Sequence, residues 1–144
     1  MFSTKNGGLD WIRSEVPIAD SFSFISSQIG FMAGGPNDTN LYRSEDGGST
    51  WVDISDGIKK STDSSLLKYS LPVFTSDDYG LLAVYEKNQN TYNQVLIFES
   101  IDLGSSWQLK DSFFTLENNS DQAPLIVQAS SFEDYIVWIP GASL

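Results

Sequence analysis

The stretch Ser44-Glu45-Asp46-Gly47-Gly48-Ser49-Thr50-Trp51 has two further copies in the chain. These are Ser100-Ile101-Asp102-Leu103-Gly104-Ser105-Ser106-Trp107 and, less strictly, Thr4-Lys5-Asn6-Gly7-Gly8-Leu9-Asp10-Trp11. All three have Ser or Thr first, Asp or Asn third, Gly fifth, Ser, Thr or Asp seventh, and Trp last. One octapeptide would be a weak signal, but three in 144 residues indicate an architecture of repeated supersecondary units.

Each recurring position of the octapeptide suits a tight turn between two strands. The third residue can accept hydrogen bonds from backbone N–H groups, and the glycine permits a backbone angle closed to other residues. The first and seventh residues can tie the two legs together, while the Trp begins the outgoing strand and packs over the turn. The copy at 4–11 has Asn6 and Asp10 where the others have Asp and Ser or Thr, and is predicted to be looser. The residues assigned to these turns are Thr4, Asn6, Gly8, Trp11, Ser44, Asp46, Gly48, Thr50, Trp51, Ser100, Asp102, Gly104, Ser106 and Trp107.

A second shared segment lies upstream of the octapeptides. Residues 24–33 align with residues 74–83, because Phe, Ser, Gly and Ala recur at the same offsets, and a fainter copy lies at 128–137. Each copy indicates a strand, a tight turn and a second strand, so that one full repeat contains four strands. Strands are predicted at 21–25, 30–34, 40–44, 51–54, 71–75, 80–86, 93–100, 107–111, 124–129 and 135–139, with one short helical turn within 58–69.

The octapeptides resemble the Asp-box, or bacterial neuraminidase repeat. This repeat occurs in the β-propellers of sialidases, xyloglucan-degrading glycosidases, sortilin-type receptors and photosystem II assembly factors. The resemblance implies an all-β fold of propeller blades, each of four antiparallel strands, with the box between the third and fourth strands. Residues 1–144 would form a single propeller domain or half-domain, with repeats at about 20–54, 70–111, and 124–144 plus 1–14. One of the three blades is therefore predicted to be split between the N- and C-terminal segments.

Three blades are fewer than the about four to eight that propellers contain. Two explanations stay open. Two chains could form a homodimer with a six-bladed ring in which the split blades are shared, or the chain is a fragment of a longer propeller. We favour the dimer, because the spacing from Gln128 to the chain end, continued into the N-terminus up to Thr4, matches the spacing from Phe24 to Ser44.

The composition narrows the possible partners and chemistry. With 8 Lys and Arg against 19 Asp and Glu, the net charge is −11, which argues against binding to nucleic acid. The chain has no His and no Cys, so we expect no cofactor, no metal and no histidine-activated nucleophile. No apolar stretch is long enough to insert into a membrane. No signal peptide is predicted, while the Asp-box resemblance implies an extracellular, periplasmic or cell-surface location.

The predicted loops divide between two faces of the domain. The first–second turns and the octapeptides should share one face. The second–third loops (35–40, 87–93 and 140–142) and the blade connections (14–20, 55–70 and 111–123) should share the other, where the resembling enzymes have their active site. Polar amides beside aromatic rings on that face suit contact with a protein or a carbohydrate. The candidate binding residues are Asn37, Asp38, Lys59, Lys60, Asn88, Asn90, Tyr92, Asn118 and Asp121.

The favoured function is a non-catalytic binding or scaffold module for a protein or glycan. The alternative is a fragment or subunit of a secreted glycoside hydrolase, sialidase-like or xyloglucanase-like. A glycosidase needs two carboxylates about 5–10 Å apart, but the pairs Asp77-Asp78 and Glu133-Asp134 lie in predicted turns. Sialidases hold the substrate carboxylate with three arginines, whereas this chain contains only Arg13 and Arg43.

Overall fold

The computed structural model describes residues 1–18, 21–34, 39–62, 66–75, 78–87, 93–115, 125–129 and 133–138. These ranges contain mostly β-strands, which confirms the predicted all-β class. The elements are β1 (Phe2–Ser3), β2 (Ile12–Arg13), β3 (Ser21–Phe24), β4 (Gly30–Gly34), β5 (Asn40–Ser44), β6 (Val52–Asp53), α1 (Ser55–Lys59), β7 (Leu67–Tyr69), β8 (Val73–Phe74), β9 (Gly80–Lys87), β10 (Asn93–Ser100), β11 (Gln108–Thr115), β12 (Leu125–Ala129) and β13 (Tyr135–Trp138). In this part of the chain, no helix has the length and apolar character needed to cross a membrane.

Sheet 1 consists of β3, β4, β5 and β6, which pair antiparallel in the order of the chain. The octapeptide at 44–51 connects its third strand to its fourth. Gly30 pairs with Phe24 on one side and with Ser44 on the other, so the first–second turn and the octapeptide lie at the same end of the sheet. This is the strand order that was predicted for the repeat at 20–54.

Sheet 2 has the same order, but its first strand is divided into two pieces. Its order is β11-β10-β9-β7, while β8 pairs with the beginning of β9. The division falls at the buried Pro72, which has no N–H to donate to a neighbouring strand. Just before it, the Ser70 N–H donates to the Ala83 carbonyl over 3.1 Å, and the Ser70 hydroxyl accepts from the Ala83 N–H over 3.3 Å.

Three elements depart from the sequence prediction. Strand β11 continues to Thr115, although the strand was predicted to end at 111 and residues 111–123 were predicted as a connection. Strand β7 lies inside the segment 55–70, which was predicted as a connection, and it places the charged Lys68 in a buried strand position. Helix α1 begins at Ser55, three residues before the segment that was predicted to hold a helical turn. The buried Ser55 hydroxyl accepts a hydrogen bond of 2.7 Å from the Leu41 N–H, which fixes the helix against sheet 1.

Two hairpins flank the complete sheets. The N-terminal hairpin is β1–β2, and the C-terminal hairpin is β12–β13. All three first–second hairpins have five residues between their closing pairs, which are Phe24–Gly30, Phe74–Gly80 and Ala129–Tyr135. The structure therefore places the third copy one residue later than the sequence alignment. Among the described residues no strand pair joins the two hairpins, so the split blade stays a prediction.

Sheet 1, sheet 2 and the C-terminal hairpin stack face to face in chain order. One hydrophobic cluster joins sheet 1 to sheet 2, with Phe31 beside Leu82 and Phe98. A second cluster joins the opposite face of sheet 2, through Leu81, to Val137 of the C-terminal hairpin. Each fully buried large side chain in these two layers contributes about 1.5–3 kcal/mol to the stability.

Alternation along the strands assigns every side chain to one of two faces. We call the face toward the next element along the chain the forward face, and the opposite one the backward face. Phe31 and Leu81 occupy equivalent positions and point forward, whereas Met32 and Leu82 point backward. The Met1 side chain packs on Gly48, so the residue that precedes β1 contacts sheet 1 at its octapeptide turn.

Candidate functional site

The octapeptide at 44–51 has the hydrogen bonds that its sequence predicts. The Ser44 hydroxyl accepts from the Gly48 N–H over 2.8 Å and donates to Asp46 Oδ1 over 2.9 Å. Asp46 also accepts from the N–H and the hydroxyl of Thr50, over 2.8 and 2.7 Å. The Trp51 indole N–H donates to the Gly48 carbonyl over 3.2 Å and closes the turn.

The octapeptide at 100–107 repeats this network except for the indole bond, because the buried Trp107 Nε1 has no hydrogen-bond partner. The Ser100 hydroxyl accepts from the Gly104 N–H over 2.8 Å and donates to Asp102 Oδ1 over 2.8 Å. Asp102 accepts from the N–H and hydroxyl of Ser106, over 2.9 and 2.6 Å. The Trp107 ring is buried and crosses the ring of Phe31 from sheet 1 at an angle of 75°. This turn therefore also contributes to the contact between the two sheets.

The octapeptide at 4–11 has the same hydrogen-bonded positions, but its third residue donates to the seventh instead of accepting from it. The Thr4 hydroxyl accepts from the Gly8 N–H over 2.9 Å, and Asn6 Oδ1 accepts from the Asp10 N–H over 3.0 Å. Asn6 Nδ2 donates to Asp10 Oδ2 over 2.7 Å, so the donor and the acceptor of this bond have changed places. Two of these bonds are 0.1–0.2 Å longer than their equivalents at 44–51 and the third has the same length, so a looser turn stays a prediction.

The carboxylates of the turns act as hydrogen-bond acceptors. Hydrogen bonds from the side chain and backbone of Thr50 lower the pKa of Asp46 to about 2. Burial raises the pKa of Asp102, but hydrogen bonds from Ser106 and Ser100 more than offset it, and the pKa lies below its ordinary value. Carboxylates with low pKa values stay ionised at neutral pH and are unsuited to be general acids. Among the described residues, no cluster of three or more acidic, His or Cys side chains could hold a metal ion.

Only two of the predicted binding residues belong to the described part of the chain. Lys59 is the half-buried last residue of α1, and Lys60 follows it and is exposed. The positive charge of Lys59 lies near enough to Asp53 to help lower the pKa of that carboxyl. The others lie outside the described residues, namely Asn37, Asp38, Asn88, Asn90, Tyr92, Asn118 and Asp121.

In sheets 1 and 2, the octapeptide and the first–second turn lie at the same end of the sheet, which agrees with the prediction for these two repeats. In sheet 1, the Gly47 N–H donates to the Gln28 carbonyl over 2.8 Å. In sheet 2, the Leu103 N–H donates to the Asp78 carbonyl over 3.2 Å, at the equivalent positions of the repeat. These two bonds fasten each octapeptide to the first–second turn of its own sheet.

A groove of about 710 Å³ opens at this face, between β3 of sheet 1 and β8 of sheet 2. We call it the inter-sheet groove. It combines aliphatic side chains with three hydroxyl groups. Its lining residues are Ser23, Ile25, Ser26, Ile29, Pro72, Val73, Phe74, Thr75 and Leu103. Sequence reasoning missed this groove, because it forms only where two turns far apart in the chain come together.

Leu103 has the most unusual backbone of the groove. Its φ is +59°, and the equivalent residues of the other octapeptides are glycines, Gly7 and Gly47, with φ of +71° and +72°. This conformation costs a residue with a side chain about 1–2 kcal/mol. The surrounding contacts hold it in place, because the Leu103 carbonyl accepts a hydrogen bond of 3.1 Å from Arg43 Nε while its N–H is bound to Asp78. Strained residues of this kind cluster at binding sites.

The described arginines do not form a carboxylate-binding site. Arg43 is buried, forms an ion pair with Glu45 and donates a hydrogen bond to the Leu103 carbonyl. Arg13 lies exposed on β2, in a different hairpin. The described residues therefore bring together neither the arginine cluster nor a free carboxylate pair of a sialidase.

The comparisons with known proteins find no counterpart. No protein-family model, no curated protein and no solved structure matches the chain.

Proposed function

We propose that the chain is a non-catalytic β-propeller module that binds a partner in the inter-sheet groove. Two four-stranded antiparallel sheets stacked in chain order support the propeller, and each has an octapeptide turn between its third and fourth strands. This is the arrangement that the Asp-box resemblance implies. The same resemblance supports an extracellular, periplasmic or cell-surface location.

The occupied side chains of the turns support a non-catalytic role. The carboxylates of Asp46 and Asp102 accept hydrogen bonds from residues of their own octapeptides. Glu99 accepts from Lys110 over 3.0 Å and from the Tyr79 hydroxyl over 3.0 Å. A glycosidase would instead need one carboxyl group with a raised pKa and a second one across the substrate.

The lining of the groove favours a protein segment over a glycan. Sugars stack on exposed aromatic rings, but Phe74 of the groove is engaged by Phe31, at a centroid distance of 5.4 Å, and by Trp107, at 6.2 Å. Aliphatic walls with a few hydroxyl groups match an apolar side chain and the backbone that carries it. The observation that carries the proposal is Leu103, a leucine held in a glycine conformation at the wall of the groove.

The test compares two asparagine variants of one octapeptide. Peptides selected on the wild-type chain from a random displayed library are measured by calorimetry against Leu103→Asn and Ile101→Asn. Asparagine tolerates positive φ, so Leu103→Asn keeps the turn and removes the apolar side chain. We expect at least about a tenfold loss of affinity, since burial of a Leu side chain contributes about 1.5–3 kcal/mol. Ile101 is exposed outside the groove, and its variant should bind like the wild type.

Three results would contradict the proposal. The first is equal peptide binding by both variants, and the second is a glycan array that yields ligands where the peptide library yields none. The third is hydrolysis of aryl glycosides or xyloglucan by the purified chain, which would favour the glycoside hydrolase alternative.

A further inference from the structure

The inter-sheet groove lies among four turns whose charged residues are all acidic. These turns are the first–second turns and the octapeptides of sheets 1 and 2, at 24–30, 74–80, 44–51 and 100–107. Their sequences contain no Lys and no Arg. Their acidic residues are Glu45, Asp46, Asp77, Asp78 and Asp102. The turns at the end of the two sheets where the groove opens are therefore strongly acidic in sequence.

Three of these acidic residues are neighbours of Leu103, which lines the groove. Asp102 precedes it in the chain, and the Asp78 carbonyl accepts a hydrogen bond of 3.2 Å from its N–H. Glu45 forms an ion pair with Arg43, whose Nε donates to the Leu103 carbonyl over 3.1 Å. We call Glu45, Asp78 and Asp102 the acidic rim. The rim belongs to the groove itself, because each of its residues is joined to the groove wall by the chain or by hydrogen bonds.

The positive charge of Arg43 does not neutralise the rim. With Arg43 counted, the four turns have five acidic residues against one basic residue, a balance of −4. The pKa of Asp102 lies below its ordinary value because hydrogen bonds outweigh the effect of burial, so this carboxylate stays ionised at neutral pH. The Glu45 side chain pairs with Arg43 but is exposed to solvent. The rim therefore keeps an uncompensated negative charge at the mouth of the groove.

The walls of the groove, in contrast, are uncharged. Among the described residues, the side chains that line it are either apolar or carry a hydroxyl group. Because an unpaired charge is costly to remove from water, a charged group of a partner would remain outside, at the rim. The volume of about 710 Å³ equals that of a cube with an edge of about 9 Å, comparable with the Debye length of about 10 Å at 0.1 M salt. An apolar side chain inside the groove thus brings its chain neighbours into the field of the rim.

We propose that the groove binds a cationic segment of a partner protein, with one apolar side chain inside the groove and Lys or Arg on its flanks at the acidic rim. This inference rests on the proposed function, because it names the partner of the same groove. Opposite charges on two surfaces accelerate their encounter, while like charges exclude acidic segments. Long Lys and Arg side chains place their charge at the rim while their aliphatic portions cover the mouth of the groove. The net charge of −11 favours the same class of partner.

The first experiment identifies the flanks that the groove selects. A displayed peptide library with a fixed central Leu and randomised flanks is selected on the wild-type chain and, separately, on Leu103→Asn. Peptides that the wild type retains and the variant does not retain depend on the groove. We expect Lys and Arg to be enriched in their flanks over the unselected library, and Asp and Glu to be depleted. The comparison removes peptides that adhere to the acidic surface elsewhere.

The second experiment removes charge from the rim and, as a control, from another part of the chain. The double variant Glu45→Gln, Asp78→Asn changes two rim carboxylates to amides of the same size. The control, Asp56→Asn, Glu86→Gln, changes two carboxylates at the opposite end of the sheets, in α1 and near the end of β9. Both variants raise the net charge from −11 by two. For a groove-dependent cationic peptide, we expect at least about a threefold loss of affinity in the rim variant and a smaller loss in the control. Urea denaturation of both variants checks that they remain folded.

The salt dependence of the binding rates is the third measurement, and it uses the same peptide. We expect the association rate constant of the wild type to fall at least about tenfold between about 0.02 M and about 0.5 M NaCl, because salt screens the attraction between complementary surfaces. Leu103→Asn should instead raise the dissociation rate constant and leave the salt dependence of association unchanged, because it removes a buried contact and no charge.

Three results would overturn the inference. They are groove-dependent peptides without an excess of Lys and Arg, an equal loss of affinity in the two double variants, and an association rate that does not depend on salt. In each case the proposed function survives, because binding still depends on Leu103. If no peptide distinguishes the wild type from Leu103→Asn, the proposed function fails, and the inference fails with it.

Discussion

Replacement of Gly104 by alanine probes the contact that joins the two complete sheets. The φ of Gly104 is +74°, which costs alanine about 1–2 kcal/mol. An added Cβ would lie 2.8 Å from Phe31 Cε1 and 3.1 Å from Trp107 Cζ2, far inside the optimal 3.5–4.0 Å. Phe31 is fully buried and stacked on Phe74, so the clash cannot relax freely and adds about 1–3 kcal/mol.

The expected cost of Gly104→Ala is therefore about 2–5 kcal/mol of the free energy of unfolding. Urea denaturation followed by tryptophan fluorescence measures this quantity by linear extrapolation. The matched control is Gly7→Ala, since Gly7 has nearly the same φ, +71°, but no atom within 4 Å of an added Cβ. That variant should lose only the backbone contribution, about 1–2 kcal/mol.

A second substitution separates the clash from other effects. Phe31→Leu in the Gly104→Ala background removes the ring atoms that meet the new methyl group, and a double-mutant cycle should show a favourable coupling. The reasoning is refuted if Gly104→Ala costs no more than Gly7→Ala, because sheet 1 would then not pack on the octapeptide of sheet 2.

Two further predictions concern the octapeptide side chains. Ser100→Ala leaves the buried Gly104 N–H without its acceptor and should cost about 1–3 kcal/mol, whereas Thr4→Ala in the exposed turn should cost less; equal losses in urea denaturation would contradict this. The pKa of Asp46 is about 2 in the folded chain against an ordinary value of 3.8, so its carboxylate stabilises the fold above about pH 4 and loses this effect as the pH falls toward 2. Thermal melts across this pH range should therefore show a shallower decline for Asp46→Asn than for the wild type, and identical declines would show that Asp46 is not responsible.

Local patterns predicted most of the strands. The hydrogen bonds of an octapeptide join residues two to four apart, so the turn chemistry is visible in the sequence. The strands around the turns follow from them, and β4, β5 and β10 have the predicted bounds. The sequence alignment misplaced only the fainter third copy, by one residue. In that copy no Phe marks the end of the first strand.

Strand β7, the inter-sheet groove and the backbone conformation of Leu103 could not be predicted from local sequence patterns. Strand β7 is three residues long, and its central Lys68 contradicts the expected pattern of a buried strand. The inter-sheet groove depends on Leu103 meeting side chains from turns near Ile25 and Phe74. The positive φ of Leu103 is set by the fold around it, since leucine itself disfavours that conformation.

The exchange of donor and acceptor between Asn6 and Asp10 has a consequence for how such repeats diverge. The oxygen of an amide at the third position can still accept the hydrogen bond from the backbone N–H of the seventh residue. The amide nitrogen, however, needs an acceptor on the seventh side chain. The third and seventh residues should consequently change together in related copies, with Asp followed by a hydroxyl residue or Asn followed by an acid. An octapeptide turn can therefore lose the carboxylate at its third residue and keep its conformation, provided that the seventh residue becomes an acid.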